Sequence, residues 1–231
     1  LQLEKLRSLY DYRGMNVEII PPGVNIHKFK PLSPGELPRK TDLPEKYIFC
    51  LSRVDSNKGY DLLLNAFARV CQKIDDIYLV TGGGSMNPQP REKEVLDMMH
   101  RIMHEKGIGN KIHFVGHVEE SLMVSYYQNA QYFVMPSIFE PFGMTTQEAM
   151  SCGIPVIASR FGGIKTVLTH EKDGLLINPK DEEEFAGAMI RLLEDTRYRD
   201  QLGKAASSLI RENFSWEAMA ERHLTFYNKY C

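Results

Sequence analysis

The chain has 231 residues, 43% hydrophobic and 25% charged, with 28 Lys and Arg against 30 Asp and Glu. A net charge of −2 argues against broad electrostatic capture of nucleic acid or an anionic membrane, while allowing a local basic pocket. The length permits one large domain or two small ones at ~150 residues per domain, with enough core to need no disulfide staples.

The chain opens Leu1-Gln2-Leu3 rather than on Met, so it is expected to be processed or to be a piece of a longer protein. Residues 1–12 read as the tail of a helix, with Leu3, Leu6, Leu9 and Tyr10 on one face. Val17–Ile20 is predicted as a short strand running into Pro21-Pro22-Gly23. Between Lys28 and Lys46, Pro31, Pro34, Pro38 and Pro44 favour an extended loop.

From Tyr47 onward short apolar runs alternate with helical patterns. The runs are Tyr47–Ser52, Ile77–Thr81, Ile112–Val115, Tyr132–Pro136, Ile154–Ser159 and Leu175–Ile177. Helical spacing marks Gly59–Ile74 through Leu63, Phe67 and Val70, and Arg91–Lys106 through Val95, Met98, Met99 and Ile102. Val118–Ala130, Glu182–Leu193, Tyr198–Arg211 and Ser215–Tyr230 are further predicted helices, the last with Ser215 as a good N-cap. Strands without polar alternation, separated by helices, indicate a parallel sheet covered on both faces. The fold class is a doubly wound α/β domain.

No stretch reaches the ~20 consecutive apolar residues of a membrane-spanning helix, and no secretory pattern stands at the start. Cys50, Cys71, Cys152 and Cys231 form no Cys-x-x-Cys pair, which points to reduced thiols and a cytoplasmic location.

Three loops after predicted strands carry groups that can do chemistry. Glu140-Pro141-Phe142-Gly143-Met144-Thr145-Thr146-Gln147-Glu148 follows the run Tyr132–Pro136, where an open α/β sheet places ligands. Pro141 favours an extended Glu140 whose carboxylate stands clear of the next helix. Gly143 permits close approach, and the amides around Gly143–Thr145 would form an anion-binding helix N-terminus. Glu148, just over a turn on, can accept two hydrogen bonds from vicinal hydroxyls, as carboxylates do with a ribose. The simpler alternative is two surface glutamates on an ordinary helix.

Arg53 and Lys58 flank the loop after Tyr47–Ser52. A rigid guanidinium fork with a mobile ammonium suits a diphosphate and the charge that grows on it as it leaves; a solvated turn is the alternative. Gly82-Gly83-Gly84 and Gly162-Gly163 suggest close backbone approach or flexible turns. The first is neither a dinucleotide fingerprint nor a Walker loop. His100 and His104 share a helix face without the acidic partner of a metal motif, and exposed histidines are the simpler reading. No Asp-x-Asp occurs, so a bound diphosphate would be neutralised by protein cations and helix amides, with no metal and no cofactor.

Taken in order, these segments resemble the C-terminal half of a retaining GT-B glycosyltransferase of group 1 (glycosyltransferase family 4). The ordered set runs from Ile20-Pro21-Pro22-Gly23-Val24-Asn25 through Ser52-Arg53, Lys58-Gly59, Phe114-Val115-Gly116 and Pro136-Ser137 to Glu140 with Glu148. Gly153-Ile154-Pro155-Val156, Gly162-Gly163 and Gly174-Leu175-Leu176 complete it. Gly82-Gly83-Gly84 with Glu140–Thr145 is similar to the sucrose-phosphate and mannosylfructose-phosphate synthase subgroup.

The resemblance implies that Arg53 and Lys58 hold the donor diphosphate and Glu140 binds donor-sugar hydroxyls. Phe142, Gly143, Met144 and Thr145 would supply amides, Glu148 would hold the ribose, and the base would sit near His117 and Val118. Gln147 stands where the family usually has an apolar residue. The implied reaction moves a hexosyl group from a nucleotide sugar such as UDP-glucose to a sugar or sugar-phosphate hydroxyl. Residues 1–16 would be a remnant of a preceding acceptor domain, and residues 17–231 the nucleotide-sugar-binding domain with its closing helix. The 231 residues alone are expected to bind donor without efficient turnover. The alternative is a non-catalytic nucleotide-sugar-binding subunit that needs a partner chain.

Overall fold

The computed structural model describes residues 2–10, 16–37, 39 and 41–230. Six strands form: β1 Tyr47–Leu51, β2 Tyr78–Gly82, β3 Ile112–Gly116, β4 Tyr132–Met135, β5 Val156–Ser159 and β6 Leu175–Ile177. They make one sheet in the order β3-β2-β1-β4-β5-β6, and every neighbouring pair is parallel. This is the dinucleotide-fold strand order.

The helices are α1 Gln2–Tyr10, α2 Tyr60–Cys71, α3 Pro90–Glu105, α4 Glu120–Asn129, α5 Met144–Ser151, α6 Glu182–Glu194, α7 Thr196–Asn213 and α8 Trp216–Tyr230. Leu1, Asp11 and Tyr12 of the expected first helix, and Cys231, lie outside the described residues. Side chains leave each strand alternately, so uniformly apolar strands build two cores. Ile48, Cys50, Leu79, Val134 and Ile157 face α2, α3 and α6, whose Leu63, Phe67, Met99, Phe185 and Met189 are buried there. Tyr47, Phe49, Val80, Phe133 and Val156 face the other way, onto Tyr127 of α4, Met150 of α5 and Ala206 and Ile210 of α7. Each fully buried Phe, Leu or Ile contributes about 1.5–3 kcal/mol relative to exposure.

Helix starts follow their capping residues. The Asp181 and Asp195 carboxylates accept from the amides of Glu184 and Tyr198, and Ser215 Oγ accepts from Ala218 N at 3.0 Å. Pro90 opens α3, where its missing N–H costs nothing. His100 and His104 are both exposed on α3.

One expected element does not form. Residues 16–20 adopt no strand, and Val17 and Ile19 are exposed. The pairing occurs further on, at Val24: its N–H donates to Phe214 O at 2.8 Å, and its carbonyl accepts from Trp216 N at 3.1 Å. Three apolar residues in four mimic a strand locally, but a strand needs a neighbour, and among the described residues none pairs with this segment. The rest of the 28–46 loop is without helix or strand among the described residues, as its prolines require. Cys50, Cys71 and Cys152 are unpaired, and burial pushes the Cys50 thiol up to about 12, far from reactivity. Among the described residues no helix is long and apolar enough to cross a membrane.

Two helical glycines separate packing from propensity. A methyl added at Gly203 in α7 would lie 2.2 Å from the Gly153 carbonyl oxygen, whereas one at Gly187 in α6 meets nothing within 4 Å. In urea unfolding, Gly187→Ala should raise stability by ~0.5–1 kcal/mol, and Gly203→Ala should lower it by ~1–3 kcal/mol through overpacking of α7 on α5.

Candidate functional site

The strand order reverses between β1 and β4, so their following loops diverge and leave a crevice at the carboxyl edge of the sheet. Both loops named from the sequence border it. After β1, Asp55 caps the short turn Ser56–Lys58, and Gly59 closes it at φ 69°. That glycine is dictated by sterics as well as by φ, because an added Cβ would lie 2.4 Å from Pro136 O of the β4 loop. Asn57 O accepts from Ile138 N at 3.0 Å. The two loops are thereby joined across the crevice.

Lys58 Nζ and Glu140 Oε2 meet at 2.8 Å in the middle of this junction, with both side chains 11% exposed. Ser137 Oγ donates to the same Glu140 oxygen at 3.2 Å, and Gly143 N donates to Oε1 at 3.2 Å. Pro141 favours a Glu140 that stands clear of the helix; instead its carboxylate is folded inward onto Lys58, Ser137 and Gly143. The cause lies in the loop after β5. Gly163 N donates to Glu140 O at 2.8 Å, and Gly162, at φ 102°, comes so close that a Cβ would be 2.4 Å from that oxygen. The Gly162-Gly163 pair therefore serves this chain's own backbone: it clasps the Glu140-Pro141 peptide and turns the carboxylate towards Lys58.

A cavity of about 400 Å³ opens beside the pair, lined by Arg53, Lys58, Glu140, Phe142, Gly143, Met144 and Thr145 among others. Arg53 is exposed, and its guanidinium has no side-chain partner among the described residues. Gly143 at φ 65° starts α5, whose first amides, at Met144 and Thr145, have no carbonyl of their own helix to bond and carry the positive end of its dipole. Two cations and a helix N-terminus thus border one small space. Gln147, the residue at odds with the family pattern, is fully buried and donates its side-chain amide to Phe142 O at 2.9 Å, tying the loop down. Its Oε1 has no hydrogen-bond partner among the described residues.

Met144 also lines a second cavity, of about 520 Å³, together with His117, Val118 and Glu148. The ten residues singled out from sequence thus fall into two neighbouring spaces that share one wall. His117 is exposed, whereas Val118 is core and crowds Gly82. Burial pushes the Glu148 carboxyl up from its ordinary range; the Tyr127 hydroxyl, donating at 2.8 Å, and then the charge of Lys28 pull it back.

Sequence reasoning missed several residues here. Asn25, Lys28 and Trp216 line the second cavity, and Tyr127 holds Glu148. The signal for Asn25 was present in the Ile20–Asn25 segment, which carried the resemblance but received no role, and Lys28 follows three residues later. They arrive because Ser151 of α5 hydrogen-bonds Phe29 O and Val24 is zipped to the α7–α8 junction. Gly83 likewise packs on protein, since a Cβ there would lie 1.8 Å from Ser52 O. A roomier cavity of about 650 Å³ lies along the outer edge of β3 and includes none of these groups. Its walls come from the 39–43 loop, β3 and α4. Among the described residues no group of three or more His, Cys, Asp or Glu could hold a metal ion.

Residues 36–209 match the family described as glycosyl transferases group 1. Mannosylfructose-phosphate synthase of Agrobacterium fabrum is 28% identical over 229 residues, covering 97% of this chain and 50% of that protein. The solved structure of sucrose-phosphate synthase from Thermosynechococcus elongatus superposes with a TM-score of 0.85 at 32% identity, over 99% of this chain and 56% of that one. Anabaena Alr3699/HepE, solved with UDP-glucose, shares the fold at a TM-score of 0.76 and 19% identity, over 92% of this chain and 57% of that one. The chain thus spans about half the length of these relatives. Its parallel six-stranded sheet is the Rossmann-like architecture of GT-B glycosyltransferases, and the chain belongs to the group 1 glycosyltransferase family.

Proposed function

We propose that this chain is the donor-binding half of a retaining, metal-independent hexosyltransferase. It would pass a hexosyl group from a nucleoside-diphosphate sugar, UDP-glucose in the first instance, to a hydroxyl of a sugar or sugar phosphate. The observation that carries the reading is the pair of adjoining cavities: cations and a helix N-terminus border one, and a half-buried carboxylate lines the other. The sugar diphosphate would occupy the first and the nucleoside the second, passing over Met144.

In this arrangement Arg53, Lys58 and the amides at Met144 and Thr145 neutralise the diphosphate without a divalent ion. Charge on the diphosphate grows as its bond to the sugar's anomeric carbon breaks, so these donors act most strongly in the transition state. Glu148 accepts from the ribose, and the base lies near His117 and Val118. Lys58 cannot serve a phosphate and Glu140 fully at the same time. Donor binding therefore exchanges the Glu140 carboxylate on Lys58 for phosphate oxygens, leaving Glu140 free to accept from donor-sugar hydroxyls. Each partner is delivered to its ligand by the act that separates the pair. Because the chain spans half of its curated relatives, transfer by these residues alone is expected to be slow.

Lys58→Met should weaken UDP binding at least tenfold by calorimetry and destabilise the free chain by up to ~3–5 kcal/mol, since it strands a buried carboxylate. Adding Glu140→Gln should recover much of that stability but none of the affinity. Glu148→Ala should weaken UDP binding by ~1.5–3 kcal/mol, while chelation of divalent ions with EDTA leaves the wild-type affinity unchanged. Unchanged binding in Glu148→Ala would contradict the ribose role, and loss of binding in EDTA would contradict a metal-independent site.

A further inference from the structure

Tyr127 lies fully buried on α4 and lines neither cavity itself. Its ring is held edge-on by Phe29, Phe49 and Phe133, with centroids at 6.0, 5.4 and 5.5 Å. These three come from the N-terminal segment, β1 and β4, so the ring cannot swing without disturbing the core. Packing of this kind asks only for a phenyl ring. The hydroxyl is an extra polar group in an apolar surround, costly to bury unless it is bonded. Its one partner is Glu148 Oε2, at 2.8 Å, and Glu148 Oε1 has no partner among the described residues.

We propose that Tyr127 is the positioning residue of the nucleoside cavity: its hydroxyl immobilises one oxygen of Glu148 so that the other is presented to the ribose. This rests on the reading of Glu148 as the ribose carboxylate and adds to it a residue that touches no ligand. A glutamate has three side-chain torsions, and anchoring one oxygen in a rigid aromatic cage removes the freedom that ribose binding would otherwise have to restrict. The same hydrogen bond favours the charged carboxylate, opposing the burial that disfavours it. Desolvation holds the phenol well above its ordinary range, so Tyr127 remains a donor at any working pH. The other titratable or charged groups around Glu148 are Lys28 from the N-terminal segment with its partner Glu120 on α4, His117 after β3, and Cys152 at the end of α5. A Tyr127 substitution leaves all of them in place.

The test measures binding of UDP, 2′-deoxy-UDP and 3′-deoxy-UDP to the full chain by calorimetry across pH. Trp216, the single tryptophan, lines the same cavity and provides a second, optical readout. The variants are Tyr127→Phe, Glu148→Gln and the double substitution. Glu148→Gln should abolish the preference for UDP over the deoxy analogues. Tyr127→Phe should reduce that preference roughly three- to tenfold, with the thermal midpoint essentially unchanged. It should also move the acid limb of UDP binding to higher pH, because the carboxylate loses the bond that favours its charged form. The double substitution should match Glu148→Gln alone. If Glu148→Gln abolishes the preference while Tyr127→Phe keeps wild-type preference and acid limb, Tyr127 only fills space and the proposal is overturned. If Glu148→Gln itself retains the preference, the ribose reading fails and the proposal fails with it.

Discussion

The contact between Lys58 and Glu140 is the constraint around which the crevice is organised. It joins the loops that follow the two central strands at the place where the sheet reverses its winding direction. Almost every special backbone feature nearby serves it. Gly59 brings the Lys58 turn against Pro136, Gly162 and Gly163 hold the Glu140 peptide, and Gly143 donates to the Glu140 carboxylate while starting α5. A nearly buried ion pair gains little net stability once desolvation is subtracted. Its retention makes physical sense where the two charges are needed separately by something that binds between them.

The second cavity is held by different means. Its carboxylate stands on α5 and is braced by a tyrosine from α4, and its remaining walls come from the N-terminal segment, the stretch from His117 into α4 and the α8 start. The two cavities share Met144 and therefore α5, whose short body carries Gly143 at its beginning and Glu148 near its middle. Helical geometry alone sets the distance between diphosphate donors and ribose acceptor in the proposed reading: Met144 and Glu148 are one turn apart, ~6 Å along the axis. A nucleoside diphosphate is then measured by one rigid element.

The sheet was readable because parallel strands buried on both faces appear as continuous apolar runs, and all six runs form strands within two residues of the expected ends. The same simplicity misled at Val17–Ile20, where composition suggests a strand but no described residue pairs with it. The candidate residues were readable as types beyond strand ends, since Arg53, Lys58, Glu140 and, on the following helix, Glu148 all reach the crevice or its neighbour. Their states were not. The inward turn of Glu140 depends on glycines 22 and 23 positions later, and the bracing of Glu148 depends on a tyrosine 21 residues earlier. Such partnerships are created by strand order, and no local pattern encodes them.

The most direct test is a crystal structure of the chain with UDP-glucose, read at a single separation: Lys58 Nζ to Glu140 Oε2, which is 2.8 Å in the free chain. The account predicts that this contact is broken, with Lys58 on a diphosphate oxygen and Glu140 accepting from a hydroxyl of the glucose. An intact Lys58–Glu140 contact with the nucleotide sugar fully bound would contradict it.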